Sequence, residues 1–371
     1  MTDMKLSQPK SARTINSARV FGCLRTHENL SKAEIARILD LNKVSTGEIV
    51  DDLIRQGLVA ETGKMESSNG RRPTCLEIVA DARYVLSVDI GSRNTTVALC
   101  NLLSQPVHFE RIPTNKEAEK VEEFCVEIIK SCMRVIKLVD RDKIIGAGIA
   151  VGGRISGDGR TIVSCPYLPW KDIPIVEAFE QVMKMRATCR NSTYALVDAE
   201  RYASFGTGLL SSAAPIIYIE WGNTLSMALV CEDRVFGEGN DFAHLKVSPT
   251  GLCSCGQIGC LEANVSAWAL SGDMDVHLKE LWPKVEKEVL QNMANAIAMT
   301  VQITGSDKVI ISGEGATITD YCLRELSKLC PGMEILRSNL GEKANIMAAA
   351  EIALDKWVYM TSMLAKMKTW L

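Results

Sequence analysis

Apolar residues recur at helical spacing in three short segments near the start of the chain, at residues 15–24, 35–39 and 49–54. Spacing of three and four residues places the apolar side chains of each segment on one face of a helix. A tight turn at residues 40–42 separates the last two segments, and Gly57 ends the third. Two short helices joined by such a turn predict a helix-turn-helix.

Polar residues support these helix ends. Ser31 and Glu34 have the spacing of a capping box, and Asn42 can cap the third helix. The stretch LVAETGKMESSNGRRPTCLEI then predicts a strand, a polar turn and a second strand, with Arg71 and Arg72 in the loop before the second strand. A hairpin in this place forms a wing, so the sequence predicts a winged helix-turn-helix.

Such a module places the second helix of the pair in the major groove, and its wing can grip phosphates or enter the minor groove. The residues predicted to contact DNA are polar groups that the first turns of the third helix should expose and the two wing arginines: Lys43, Ser45, Thr46, Glu48, Arg71 and Arg72. Gly47 costs about 1 kcal/mol relative to Ala in a helix, which close approach to DNA or simple tolerance would explain. The alternative is a helical oligomerisation module with a solvated polar face.

Strand and helix patterns alternate from Tyr84 onwards and predict an α/β domain with two lobes and mixed sheets. The predicted segments are a strand pair at 84–101, a helix at 121–139, a strand at 143–155, a strand then a helix at 193–206, a strand hairpin at 215–236, a helix at 284–302, a strand at 308–315 and a helix at 343–358. The joining segment lies near residues 77–84. We therefore expect a DNA-binding domain at 1–80 and a second domain at 81–371.

Composition narrows the class of protein. The 371 residues are 47% hydrophobic and 23% charged, which suits packed globular domains. No apolar run approaches the roughly 18–20 residues of a membrane helix, and the first ten residues lack the apolar core of a signal peptide, so we expect a cytoplasmic protein without a membrane partner. Thirteen cysteines, most of them isolated, fit reduced thiols. Residues 1–80 carry 12 basic and 10 acidic side chains although the whole chain has a net charge of −3, which favours a basic first module.

One imidazole and three thiols fall within a short stretch of the chain: His244, Cys253, Cys255 and Cys260. Three sulfur ligands and one nitrogen ligand suit tetrahedral Zn²⁺, and because all four positions are filled the metal should be structural. Glycines within residues 251–259 let the loop fold tightly around an ion. A fortuitous thiol cluster or a redox pair is the alternative, although Cys-X-Cys is not the usual redox spacing.

Glycine-rich turns follow three predicted strands, at residues 89–94 (DIGSRN), 220–223 (EWGN) and 312–315 (SGEG). A turn without a Cβ admits close approach of a phosphate or a sugar to the backbone. Each turn alone is more often plain turn chemistry.

Taken together, these motifs resemble the ROK family, which groups bacterial repressors and sugar kinases. The resemblance covers nearly the whole chain and is carried by the hairpin ending in GRRP, DIGSRNTTVALCN, GIAVGGRI, LVDAERYASFG, FAHLKV and CSCGQIGCLEANVS. The cysteine motif is the most specific of these. The resemblance implies the repressor branch, an actin- and hexokinase-like two-lobed fold, and zinc held by the one histidine and three cysteines.

The resemblance also implies a sugar site beside the metal. In family members the Glu of GCLE, the His of the zinc loop and an acid three residues before it hold sugar hydroxyls; these correspond here to Glu262, His244 and Asp241. The family usually has Glu in place of Asp241, and a shorter acid can change which sugar fits. Solvated loop acids are the alternative for Asp241 and Glu262.

Kinases of the family place an Asn-Asp pair after a strand, with the Asp as general base. The corresponding dipeptide here is Val197-Asp198, so Asp198 is predicted to accept a sugar hydroxyl or to cap a helix. The phosphate turns depart from the kinase pattern at residues 92–93, at Trp221 and at Glu314. We expect the indole of Trp221 to obstruct a triphosphate and Glu314 to bring negative charge to the nucleotide position.

The sequence therefore predicts a sugar-responsive transcriptional repressor that binds operator DNA as a homodimer or tetramer, with a free or phosphorylated sugar as effector. An ATP-dependent sugar kinase that carries a DNA-binding module is the alternative, because Asp198, His244 and Glu262 persist. A zinc sensor is a third hypothesis. It is less favoured, because four protein ligands, three of them thiols, are typical of tightly bound structural zinc.

Overall fold

The computed structural model describes residues 12–64, 74–117, 121–232, 234–237 and 240–359. The chain divides into two compact units. The first contains the chain up to Tyr84, residues 101–103 and the chain from Leu354 onwards; the second contains residues 85–100 and 104–353. No helix within the described ranges is long and apolar enough to cross a membrane.

Three helices and a hairpin make up most of the first unit: α1 (Ala12–Thr26), α2 (Lys32–Ile38), α3 (Lys43–Arg55), β1 (Val59–Lys64) and β2 (Thr74–Ile78). The helices pack against one another, α1 also packs against β2, and β1 pairs with β2 in antiparallel fashion. Buried apolar side chains from these elements form the core of the unit, among them Phe21, Ile35, Val50 and Leu76. The predicted helix-turn-helix and the hairpin that follows it are confirmed.

Local hydrogen bonds fix where these helices begin. The Ser31 N–H donates to Glu34 Oε2 at 2.8 Å, which completes the predicted capping box of α2. Asn42 Oδ1 accepts from the Val44 N–H at 2.8 Å and caps α3 as predicted. Gly57 follows α3 with a φ of +70°, a conformation that favours glycine and stops the helix.

The second unit is built on two five-stranded sheets. Its first half contains, in chain order, β3 (Tyr84–Ile90), β4 (Asn94–Asn101), β5 (Pro106–Pro113), α4 (Val121–Ile136), β6 (Ile144–Val151), β7 (Arg154–Ile155), β8 (Ile162–Cys165), β9 (Leu168–Ile173), α5 (Ile175–Met183), β10 (Ala187–Asn191) and α6 (Ser192–Ala203). Five of these strands form a sheet in the order β10-β6-β3-β4-β5, and β7, β8 and β9 form a separate small sheet.

The second half of the unit repeats this plan. It contains β11 (Ile216–Trp221), β12 (Leu225–Cys231), β13 (Arg234–Phe236), α7 (Glu262–Val265), α8 (Ala267–Ser271), α9 (Leu278–Leu281), α10 (Lys287–Thr304), β14 (Lys308–Ser312), α11 (Asp320–Leu329), β15 (Glu334–Arg337) and α12 (Ala344–Leu354). The sheet order is β13-β12-β11-β14-β15, so β11 holds the central place that β3 holds in the first sheet. We call each sheet with its flanking helices a lobe.

Helices cover both faces of the second sheet. Side chains of α10 and α11 share one apolar cluster with β11 and β14, and side chains of α6 and α12 share another with β11 and β12. This arrangement is typical of α/β domains. The predicted two-lobed domain with mixed sheets is confirmed.

The prediction of a strand followed by a helix at residues 193–206 is wrong. This segment is helical from Ser192, and the preceding strand is β10. Asn191 Oδ1 accepts from the Thr193 N–H at 3.0 Å and so begins α6 earlier than the pattern indicated. Leu196 and Val197 are both fully buried, and a short buried apolar run does not distinguish a strand from a helix by periodicity.

Candidate functional site

The first turns of α3 present a mixed surface. Lys43, Ser45 and Glu48 are exposed, as predicted. Val44 is 70% exposed beside them, an apolar side chain that the polar pattern did not indicate. Aliphatic groups at the start of a recognition helix can contact thymine methyl groups. This face therefore offers a cation, a hydroxyl, a carboxylate and an apolar contact.

The prediction that Thr46 is exposed is wrong. Its side chain is fully buried, and its hydroxyl donates to the Asn42 carbonyl at 2.9 Å, four residues back along the chain. That hydrogen bond turns Thr46 towards the packed side of α3. Arg71 and Arg72 lie outside the described residues.

His244 and the three predicted cysteines come together in space. Their ligand atoms all lie within 4.8 Å of one another. Cys253 Sγ lies 3.6 Å from His244 Nδ1, and Cys255 Sγ lies 3.7 Å from Cys260 Sγ. Zinc–sulfur bonds of about 2.3 Å in a tetrahedron place the sulfur atoms about 3.8 Å apart, so both the spacing and the donor chemistry suit a metal ion of this kind.

The backbone of the loop permits this clustering. Gly259 has a φ of +83°, and a Cβ there would lie 2.0 Å from the Ser248 carbonyl oxygen, so only glycine fits. The backbone N–H of Gln257 lowers the pKa of the Cys255 thiol. A lower thiol pKa favours the thiolate, the form that binds metals.

Two acids flank the cluster. Glu262 is 3% exposed; its Oε2 accepts from the Leu225 N–H at 3.1 Å and its Oε1 from the Ser254 hydroxyl at 3.3 Å. Burial raises the pKa of Glu262, and the nearby His244 lowers it in part. Asp241 is exposed, and its carbonyl accepts from the His244 N–H at 2.8 Å. Their roles in sugar binding stay predictions.

The three glycine turns meet around one cavity of about 530 Å³ in the second unit. Residues 89–94 from the first lobe face residues 220–223 and 313–314 from the second. Tyr167 and Ser192 also line the cavity. Neither Glu262 nor any residue of the cysteine cluster is among its lining residues.

Asp198 does not occupy the position predicted for it. It lies in the middle of α6 and is 8% exposed. Its two carboxylate oxygens accept from Arg190 and, at 3.0 Å, from Arg201, so its charge is used within the protein. The strand before α6 is β10, which ends at Asn191, and Ser192 directly follows it. The residue that directly follows this strand is therefore a serine and not an acid.

Trp221 does not obstruct the cavity with its indole, contrary to expectation. The indole is fully buried, donates from Nε1 to the Val265 carbonyl at 2.8 Å, and meets Trp282 edge-on with ring centroids 5.2 Å apart. Successive side chains of a strand point to opposite faces, so Trp221 joins the core while Glu220 points the other way.

An ion pair lines this part of the cavity instead. Arg93 donates to the Glu314 carboxylate and to the carbonyls of Met274 and Val276, and its side chain is only 9% exposed. Glu314 also accepts from the Leu278 N–H at 2.8 Å. The negative charge expected at Glu314 is therefore neutralised by Arg93, and the pair joins the first glycine turn to the third.

Several polar residues of the cavity were not predicted from the sequence. Tyr167 donates its hydroxyl to the Ile90 carbonyl at 2.7 Å and accepts from the Gly152 N–H at 2.8 Å, which ties the end of β3 to the residue after β6. Glu220 and Asn223 were noted only as members of a glycine turn. Strand alternation was the available signal for Glu220, because it places this acid on the face opposite the core residue that follows.

Fold and site together define a class of protein: a helix-turn-helix unit joined to a two-lobed α/β domain with phosphate-type turns and a Cys₃His cluster. Residues 85–356 match the ROK family model, and the chain belongs to the ROK family, which confirms the resemblance. The xylose repressor of Caldicellulosiruptor bescii is 23% identical over 353 residues, which cover 85% of this chain and 87% of that protein.

Two solved structures show the same fold. A ROK family transcriptional regulator described as a homologue of the Escherichia coli MLC protein matches with a TM-score of 0.72 at 19% identity, over 95% of this chain and 98% of that one. The ROK family glucokinase of Streptomyces griseus, in complex with glucose and AMPPNP, matches with a TM-score of 0.60 at 20% identity, over 72% of this chain and 98% of that one. The predicted actin- and hexokinase-like fold is confirmed.

Proposed function

We propose that this chain is a sugar-responsive transcriptional repressor that binds operator DNA through its first unit. The observation that carries the proposal is the presence, in one chain, of a helix-turn-helix with an exposed polar face and a cavity between glycine turns that is lined by the ion pair of Arg93 and Glu314. The likeness to a xylose repressor and to a ROK transcriptional regulator supports it. We assign DNA binding to residues 1–80 and effector binding to residues 81–371, in the cytoplasm.

The proposed DNA contacts lie on α3 and on the wing. Lys43, Ser45 and Glu48 would read the major groove, with Arg71 and Arg72 on phosphates or in the minor groove. In a homodimer, two such helices would reach successive major-groove faces about 34 Å apart on a near-palindromic operator. A tetramer would pair two such dimers.

The proposed effector is a sugar. Glu262, His244 and Asp241 are the residues that would hold hydroxyl groups beside the metal cluster. Buried Glu262 supports this role, because each of its oxygens accepts one hydrogen bond from the described residues and a carboxylate oxygen can accept a second one, which a sugar hydroxyl would supply. Binding would shift the population of lobe arrangements and thereby change the affinity for DNA.

The test is DNA binding by the purified full-length chain at physiological salt. We expect its own promoter region to be preferred over random DNA by about 10³-fold or more. Arg71→Ala should weaken binding to all sequences and reduce the salt slope by about one unit if it contacts phosphate, whereas Ser45→Ala should change which sequence is preferred. Equal affinity for promoter and random DNA would contradict the proposal.

We also propose that the cluster holds structural Zn²⁺. The metal would hold the loop in one conformation and so keep His244 close to Glu262. Elemental analysis should find one zinc per chain, and Cys253→Ser should lose that zinc and lower the melting temperature, because metal binding contributes folding free energy. Cys231→Ser, at an isolated cysteine outside the cluster, should keep the metal. Operator binding that followed zinc concentration reversibly would favour the zinc-sensor hypothesis instead.

The kinase alternative remains testable through the cavity. Ser192 in place of an acid and the ion pair of Arg93 and Glu314 favour a chain without kinase activity, since phosphoryl transfer depends on a placed base and on phosphate contacts. We expect no sugar-dependent ADP release from ATP over a panel of hexoses and pentoses. Sustained turnover would establish an enzyme.

A further inference from the structure

The central strands of the two lobes end in the same pattern, an acid, an apolar residue and a glycine. β3 ends at Asp89-Ile90-Gly91 and β11 at Glu220-Trp221-Gly222. Because β3 and β11 hold equivalent places in their sheets, each brings its acid to the same cavity from opposite sides.

Glu220 is anchored through one oxygen only. The Thr193 hydroxyl donates to Oε2 at 2.6 Å, and the Ser192 hydroxyl donates to the same atom at 3.1 Å. Oε1 accepts no hydrogen bond from any residue in the described part of the chain. The carboxylate is thus held in position by the start of α6, and its second oxygen is left for a ligand in the cavity.

Asp89 has a similar arrangement across the cavity. The Asn345 amide donates to its Oδ2 at 3.3 Å, and Oδ1 has no donor among the residues that the structure describes. Burial raises the pKa of Asp89 to about 7 and raises the pKa of Glu220 as well. Asp89 is 5% exposed and Glu220 is partly buried, so water solvates both less than it solvates a surface carboxylate.

Asn223 gives independent support for a ligand. It lines the same cavity and is 4% exposed. Its amide donates to the Met274 carbonyl and to Ser92 Oγ, both at 3.3 Å, which fixes its orientation. Its Oδ1 is buried and has no hydrogen-bond partner within the described ranges. A buried carbonyl oxygen of this kind is normally paired in a native protein.

Three acceptor oxygens around one cavity require donors. Hydroxyl groups donate to carboxylates and carbonyls, whereas a phosphate group adds only acceptors and negative charge. The cation nearest the glycine turns, Arg93, is already bound to Glu314. Arg111 and Lys279 also line the cavity but are exposed.

We propose that Glu220, Asp89 and Asn223 form an effector subsite that takes the hydroxyl groups of an unphosphorylated sugar or polyol. The proposal rests on the proposed function for the sugar class of effector. Ser192, the residue after Asn191, has no carboxylate. Glu220 on β11 supplies one beside it, and the Ser192 hydroxyl donates to that carboxylate.

The test is calorimetric binding to the full-length protein. The probes are D-xylose, D-ribose, D-glucose, N-acetyl-D-glucosamine, D-mannitol and the 6-phosphates of glucose and N-acetylglucosamine. We expect at least one free compound to bind, and any 6-phosphate to bind at least about tenfold more weakly than its parent. Glu220→Gln should lower the affinity for the compound that binds by about 10- to 100-fold, which is the loss expected when one hydrogen bond to a charged group is removed. Glu342→Gln, an exposed acid at the edge of the same cavity, should change affinity little.

A second variant guards against misfolding. Asn223→Ala removes the unpaired oxygen together with two long hydrogen bonds of the amide, at 3.3 Å to Met274 and Ser92, and these effects on stability oppose each other. The melting temperature of the free protein should therefore change little, whereas affinity for the bound compound should fall. Tighter binding of a 6-phosphate, wild-type affinity in Glu220→Gln, or no binding of any free probe would overturn the subsite.

Operator binding, measured in parallel, separates this proposal from the repressor function. Release of the operator by a sugar phosphate alone would overturn the subsite and leave the repressor standing. Loss of sugar affinity in Glu220→Gln, together with no preference for promoter DNA in the wild type, would support the subsite and contradict the repressor.

Discussion

Asp89 is 5% exposed at the end of β3, and burial raises its pKa to about 7. The folded-state pKa therefore lies above the unfolded value near 4. Between pH 4 and 7 the folded chain holds a proton that the unfolded chain has released, so stability must fall as pH rises through that window. The carboxylate costs free energy in the empty cavity, and a ligand that donates hydrogen bonds would offset this cost.

Asp89→Asn should remove this dependence. We expect the free energy of unfolding of the unliganded variant to exceed that of the wild type increasingly as pH rises from 5 to 8, because the amide carries no charge to bury. Denaturant unfolding at several pH values measures it. The exposed acid Asp275 serves as control, and Asp275→Asn should leave the pH dependence of the wild type unchanged. Parallel curves for wild type and Asp89→Asn would contradict the argument.

At the residue scale, the sequence predicted the cysteine cluster well because four ligand residues, one histidine and three cysteines, at close spacing leave few arrangements. It failed for side chains whose role depends on direction. Trp221 and Thr46 are each placed by which face of a strand or helix they occupy, and their residue type does not reveal this. The prediction for Asp198 failed because its strand was misplaced, so the acid was assigned to the start of a helix although it lies in the middle of α6.

At the scale of elements, the first unit was predicted closely because its helix ends carry their own signals. Ser31, Asn42 and Gly57 each act within four residues of the chain, so no tertiary contact is needed to predict them. The sequence of α6 shows no alternation between an apolar and a polar face, because most of its residues are buried. Only Asn191, a capping residue directly before it, carried a usable signal.

Gly47 lies on the exposed side of α3, and a Cβ there would meet nothing within 4 Å. Gly47→Ala should therefore stabilise α3 by about 0.5–1 kcal/mol, which slower hydrogen exchange in α3 would show. If α3 lies in the major groove, the added methyl group should at the same time weaken operator binding.

The matched control is Gly22→Ala, in the middle of α1, where a Cβ also meets nothing within 4 Å. It should slow exchange in α1 and leave operator affinity unchanged. Unchanged or tighter operator binding by Gly47→Ala would argue against the groove-facing side assigned to α3.

At the scale of the whole molecule, the first unit takes in chain from three separate parts of the sequence. The chain leaves α12 at Leu354, which is fully buried, and continues as a π-helical segment at Asp355–Tyr359 that contacts α1. The start of α12, at Ala344 and Asn345, lines the cavity. One helix therefore runs from the proposed effector site to residues that belong to the DNA-binding unit.

A chain that stops after Ala353 should lose operator affinity far more than sugar affinity, because it keeps the cavity and removes a segment that packs on α1. Gel-shift titration and calorimetry on the same preparation measure the two. Equal loss of both affinities would show that this segment supports the second unit as well.

The contact between α1 and Asp355–Tyr359 also sets an order for assembly during protein synthesis. Asp355–Tyr359 follows the second unit along the chain, so α1 gains this packing partner only after the second unit has been synthesised. Until the second unit has been synthesised, α1 therefore lacks one of the surfaces on which it packs in the folded chain, and the first unit cannot reach its full stability.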